Sequence, residues 1–161
     1  MSKTAAATTN IVLAGLGGQG VLKASDIVAD VAFAANKDVK KSEVHGMSQR
    51  GGSVNSDVRY GTEVFSPMVP PGEADYLVVL APDQVEVNIS LKKKDGKLIE
   101  PSMVDESKLS NKKSSNVALL GILSKSLEFT EEQWLAAIKK NLPEKLHEAN
   151  VEAFQFGRSI A

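Results

Sequence analysis

Apolar residues recur along the chain in two rhythms. NIVLAG (10–15) and DYLVVLAP (75–82) are short unbroken apolar runs closed by glycine or proline, which predicts strands buried on both faces. SVNSDVRY (53–60) sets Val54, Ser56, Val58 and Tyr60 alternately against polar residues, the period of a half-exposed strand. DVKKSEV (38–44) is a weaker strand with Val39 and Val44, and GKLIE (96–100) a short one. The helical rhythm is clearest in VLKASDIVADVAFAA (21–35), where Val21, Ile27, Val28, Val31 and Ala35 share a face. PDQVEVNISLKKKD (82–95) reads as a helix opened by Pro82, with Lys92, Lys93 and Lys94 at its solvated, dipole-favoured end. NVALLGILSKSLE (116–128) reads as an apolar helix, and T-E-E-Q at Thr130–Gln133 is a capping box opening another. Pro143 opens the last helix, with Leu146, Ala149, Ala153, Phe156 and Ile160 along one face. PSMVDESKLSNKKSS (101–115) is polar and has no period.

Strands that alternate with helices predict an α/β, Rossmann-like layered domain with a mainly parallel sheet flanked by helices. At 161 residues the expectation is a single domain over 1–161, with 1–9 as a short flexible lead. Composition narrows the function. A net charge of −1 points to neither nucleic acid nor an anionic membrane as partner. The chain contains no cysteine, so it can hold neither a thiolate zinc site nor a cysteine-ligated iron–sulfur cluster. No apolar run has the length of a membrane span or of a signal-peptide core, which makes the cytoplasm the expected location.

Two glycine-rich stretches carry the candidate chemistry. Gly15-Leu16-Gly17-Gly18-Gln19-Gly20 satisfies G-x-G-x-x-G between a strand and a helix, the context in which backbone amides can face an anion. Glu43 lies near the distance at which a ribose-binding carboxylate falls. A stand-alone dinucleotide-binding protein is therefore one reading. A tight strand–helix turn without ligand is a second, and exposed amides that meet a partner's cofactor or backbone are a third. The other stretch is EVHGMSQRGGSV (43–54). His45 could act as a general base, but no serine or acid stands at a catalytic spacing, and loop histidines commonly bond the backbone. Arg50 beside Gly51 and Gly52 could bring a guanidinium close to a phosphate or carboxylate. Both stretches follow strands, so both should emerge at the carboxyl edge of the sheet and form one surface.

These two motifs, in order and with the tail, carry a resemblance over nearly the whole chain. NIVLAGLGGQGVLKASDIVADVA followed by VKKSEVHGMSQRGGSVNSDVRYG resembles the gamma domain of the 2-oxoacid:ferredoxin oxidoreductases. The form HGMSQRGGSV is most similar to the indolepyruvate oxidoreductase beta subunit. Asn116, Gly121, Asn150, Phe154 and Gly157 of the tail stand at matching places. The resemblance implies an accessory subunit, inactive alone, in a complex that converts a 2-oxoacid to an acyl-CoA and reduces ferredoxin. Thiamine diphosphate with magnesium, iron–sulfur clusters and coenzyme A would belong to the complex, and thiamine-binding and iron–sulfur subunits would be the partners. The resemblance places Gly17, Gly18, Gln19 and Gly20, with His45, Ser48, Gln49, Arg50, Gly51 and Gly52, on the partner face. The glycine-flanked apolar helices could also pair two copies as a homodimer. One departure stands out: the family carries more chain between GKLIE and NVALL, including a further strand-like segment.

Overall fold

The computed structural model describes residues 7–45 and 52–161. Among them, five strands form one sheet in the order β2-β3-β1-β4-β5. These are β1 (Thr9–Leu16), β2 (Asp38–His45), β3 (Ser53–Gly61), β4 (Ala74–Val79) and β5 (Lys92–Ile99). β1 pairs in parallel with β4, and β4 with β5, while β3 runs antiparallel to both β1 and β2. Four strands thus point the same way and β3 alone is reversed. The expected parallel character holds in strand direction, and the 38–61 segment enters it as an antiparallel pair.

Each strand behaves as its pattern requires. Ile11, Leu13, Val54, Val58, Tyr60, Val78 and Ile99 face one side and join the larger core. The longer helices α1 (Val21–Ala34), α3 (Ser115–Ser124), α4 (Glu131–Asn141) and α5 (His147–Ile160) supply its other half. Val12, Ala14, Leu77 and Val79 face the opposite side, where a smaller core is closed by Val69, Val85 and Leu91. Among the described residues the second face is covered by the loop 62–73 and the short helical stretch 82–91. That stretch includes the single turn α2 (Val85–Asn88).

Two expectations fail here. The predicted helix over 82–95 breaks into short turns that end at Leu91, and Lys92–Lys94 begin β5. The lysines therefore line an edge strand, where charge discourages pairing with another chain, and Lys93 Nζ bonds Asp75 at 2.9 Å. In α5 the buried ridge is Asn150, Ala153, Phe154 and Gly157, while Ile160 is exposed. The ridge is set by a close crossing with α3. A Cβ on Gly157 would lie 1.9 Å from the Ala118 carbonyl oxygen, and one on Gly121 would lie 2.2 Å from that of Phe154. Helix propensity is given up there so that two backbones can touch.

The capping box forms as read: Thr130 Oγ1 accepts from Gln133 N–H and Gln133 Oε1 accepts from Thr130 N–H. It starts α4 at the point that seats Trp134, fully buried, in a row of rings. Tyr60, Phe129, Trp134 and Phe154 follow one another with centroids 5.2, 6.4 and 5.7 Å apart, tying sheet to helices. The aperiodic 101–115 stretch is three short 3-10 turns. Val104 and Leu109 are buried from it as plugs.

Candidate functional site

The two glycine stretches meet. β1 and β3 stay in register to Leu16 and Ser53, and beyond them the Gly17 N–H donates to the Gly52 carbonyl at 2.9 Å. β2 points the same way as β1, so His45, paired with Val54, ends on the same sheet edge. His45, Gly17, Gly18 and Gly20 line a common hollow of about 370 Å³ with Leu22 and Val54. Gly17, Gly18, Gln19, Gly20, His45 and Gly52 are thereby brought to one surface. Ser48, Gln49, Arg50 and Gly51 lie outside the described residues.

Local geometry explains why the first loop needs its residues. Gly18 and Gly20 have φ of 86° and 82°, a region costly for any side chain. Gln19 is spent inside the turn: its side-chain Oε1 accepts from Leu16 N–H at 2.7 Å, and its backbone N–H donates to Leu16 O at 3.2 Å. It staples the loop rather than offering its oxygen to a ligand. Gly20 then caps α1 with no side-chain acceptor, and no acidic residue stands in the first turn. The amides and the positive end of the helix dipole are left toward the loop side.

Gly20 also abuts α3, whose Asn116 Nδ2 would lie only 2.7 Å from a Cβ placed there. Asn116 Oδ1 accepts from Val117 N–H at 2.8 Å, which holds the side chain against the glycine. Between the ends of β1 and β4 a cleft of about 570 Å³ opens. Gly18, Gln19 and Gly20 line one side, Leu80 and Pro82 another, and Pro101, Glu106, Lys113, Ser115 and Asn116 the roof. Lys23, one turn into α1, also lines it. From β1 the chain crosses toward β2 and β3, and from β4 toward β5. The cleft therefore lies at the switch point of the strand order, where open α/β sheets bind ligands. Two lysines, α1 amides and one carboxylate give it a balance suited to an anion.

The dinucleotide reading loses its acid. Glu43 stands on β2, which β3 separates from β1, so it is two strand spacings away, about 10 Å in the sheet plane. It is bonded there to Lys41 at 3.0 Å. Burial pulls the Lys41 ammonium down, but its bonds to Asp26 and Glu43 outweigh this and hold its pKa above the ordinary lysine value. His147 is part of the packing: its Nε2 lies 2.7 Å from the Leu142 carbonyl oxygen. Among the described residues no group of three or more His, Asp or Glu side chains could hold a metal ion. Lys23 was discoverable from its place one turn after Gly20. Lys113 and Glu106 come from the aperiodic stretch, where no pattern could place them.

Fold and site define an α/β domain with an anion-suited switch-point cleft and no cysteine to ligate a cluster. Comparison with known proteins says which domain. The family described as pyruvate ferredoxin/flavodoxin oxidoreductase matches residues 10–107 and 101–160, and the chain belongs to it. An indolepyruvate oxidoreductase subunit IorB from Thermococcus kodakarensis is 33% identical over 192 aligned positions, covering 94% of this chain and 95% of that one. Among solved structures, the gamma subunit of a keto/oxoacid ferredoxin oxidoreductase from Geobacter sulfurreducens superposes with a TM-score of 0.78. It is 22% identical and 95% of each chain is covered. A 2-oxoglutarate:ferredoxin oxidoreductase from Magnetococcus marinus gives 0.81 at 18% identity, covering 96% of this chain and 31% of that longer one.

The chain is thus a gamma/beta-type subunit of the 2-oxoacid:ferredoxin oxidoreductases. The family match breaks at 101–107, which both matched segments claim. The 192 aligned positions exceed the whole chain's 161 residues, so the Thermococcus relative carries segments with no counterpart here. Both facts agree with a shortening after β5. No helix among the described residues is long and apolar enough to cross a membrane.

Proposed function

We propose that this single gamma-type domain is the accessory subunit of a cytoplasmic, thiamine diphosphate-dependent complex that oxidatively decarboxylates an aryl pyruvate, indolepyruvate being the favoured substrate. Ferredoxin is the electron acceptor. The observation that carries the reading is the joining of the two glycine stretches, Gly17 N–H to Gly52 O, beside the switch-point cleft. Such an edge suits close approach to a cofactor that other subunits hold. The indolepyruvate preference rests on the HGMSQRGG form and on the name of the Thermococcus relative.

Cysteine-ligated iron–sulfur clusters do not fit this chain, which has no cysteine. Coenzyme A is the group whose anionic phosphates the lysines and amides of the cleft would suit, and the Magnetococcus enzyme has it bound. Its phosphates would be held by the first-turn amides of α1, made accessible by Gly20, and by Lys23 and Lys113. Coenzyme A supplies the thiol that accepts the acyl group as carbon dioxide leaves and the electron pair passes to ferredoxin. The chain's own residues bind and orient: α1 offers fixed amides, the lysines neutralise charge, and Gln19 keeps the loop rigid.

The test is reconstitution. Thiamine-binding and iron–sulfur subunits are co-expressed with and without this chain, and coenzyme A-dependent reduction of ferredoxin is followed with indolepyruvate, pyruvate and 2-oxoglutarate. Turnover should require the chain and be fastest with indolepyruvate. Equal turnover without the chain would refute the subunit role, and a preference for another acid would refute the substrate.

A further inference from the structure

The loop 62–73, TEVFSPMVPPGE, displays large apolar side chains from a backbone that is tightly held. Val64 and Val69 turn inward and are buried, while Phe65 between them is 85% exposed and Met68 is 58% exposed. The grip comes from charged side chains on the second face of the sheet. Asp38 Oδ2 accepts from Val64 N–H and Asp57 Oδ2 from Val69 N–H, each at 2.8 Å. Arg59 Nη1 donates to the Ser66 carbonyl at 2.8 Å, and Glu73 N–H to that of Pro70 at 3.0 Å. Pro67, Pro70 and Pro71 fix three further φ angles. A loop set in advance loses little entropy on binding, and aromatic and methionine side chains are enriched at protein interfaces.

The loop joins the end of β3 to the start of β4, at the opposite sheet edge from the glycine stretches. Along β1 the two edges are roughly 25 Å apart. The points where the loop joins the sheet therefore lie away from the cleft. Its only ionisable residues are Glu63 and Glu73, both exposed. A second copy meeting it symmetrically would set carboxylate against carboxylate.

We propose that Phe65 and Met68 anchor a second docking site, seating in an apolar, basic-rimmed pocket of a companion subunit in the same oxidoreductase complex. This rests on the accessory-subunit reading. The complex would then grip the chain at both sheet edges, one contact serving the cofactor and the other holding the assembly.

Binding of the full chain to the purified thiamine-binding and iron–sulfur subunits, measured by interferometry, tests this. Phe65→Ala/Met68→Ala should raise the Kd roughly thirtyfold or more and leave the melting temperature of the free chain unchanged. Glu63→Lys/Glu73→Lys should slow association and flatten its dependence on ionic strength. If the first variant binds within threefold of wild type, the anchor is refuted while the subunit role stands. If the wild-type chain binds neither companion, both readings fall. Self-association of the free chain in sedimentation that disappears in Phe65→Ala would assign the loop to a second copy and overturn the proposal.

Discussion

Gly20→Ala asks whether the junction of α1 and α3 is built on the absence of one methyl group. Two costs can be separated. The first is conformational: at φ 82° an L-residue costs about 1–2 kcal/mol. The second is steric, because the new Cβ would lie 2.7 Å from Asn116 Nδ2. The amide must swing away and lose its bond to Val117 N–H, about 1 kcal/mol. Gly18→Ala is the internal control. Its φ is 86°, but among the described residues nothing lies within 4 Å of its added Cβ. Gly18→Ala should cost about 1–2 kcal/mol and Gly20→Ala about 1 kcal/mol more. For a chain of this length that extra term is a further fall of roughly 2–4 °C in melting temperature. The assay is thermal unfolding by circular dichroism of both variants, repeated in an Asn116→Ala background. There the two glycine substitutions should become equal, since the clashing group is gone. Equal losses in the wild-type background would refute the contact, and an excess that persists without Asn116 would refute its assignment.

Two other outcomes follow from the packing and the charges. Gly157→Ala gains up to about 1 kcal/mol of helix propensity, yet its methyl would sit 1.9 Å from a carbonyl oxygen that cannot rotate away. Overpacking should win by about 1–2 kcal/mol, and an unchanged or raised melting temperature would contradict the close crossing. Asp57 has its pKa raised by burial, against the Val69 N–H bond and the Arg59 charge. A carboxyl raised on folding favours the fold at acid pH, and that contribution is lost as pH rises through the folded-state pKa. Asp57→Asn, whose amide oxygen can still accept from Val69, should therefore gain stability relative to wild type as pH climbs above the ordinary aspartate range. Melting temperatures across pH 3 to 8 that run parallel for the two proteins would rule this out.

The parts of the fold legible in the sequence are those whose burial is one-sided and local. β1, β3, β4 and α1 follow their periods, and the T-E-E-Q box starts α4 as read. The stretch 82–95 failed because its apolar residues fit a helix as well as a turn followed by an edge strand. Pairing with β4 decided the matter, and pairing is invisible to a local pattern. α5 was misread for a related reason. Its inward side is chosen by the bare backbones at Gly121 and Gly157, and hydrophobicity does not register a glycine as a contact. Asn116, Gly121, Asn150, Phe154 and Gly157, which carried the family resemblance in the tail, include the residues that set that crossing and flank Gly20. At the site, convergence of the two loops was readable because both strands point the same way. The reversed β3 between them, which displaces Glu43, was not, because nothing local records the order of strands in a sheet.

The stretch 101–115 gives the domain an adjustable part. Val104 and Leu109 close the core from it, while Pro101, Glu106 and Lys113 from the same turns roof the cleft. Residues added or removed between those plugs would reshape the mouth of the cleft and leave the hydrophobic interior as it is. The break in the family match falls at this place. Descendants of one ancestral subunit could thus be refitted to enzymes of different shape by editing a single surface segment, with the load-carrying framework inherited whole.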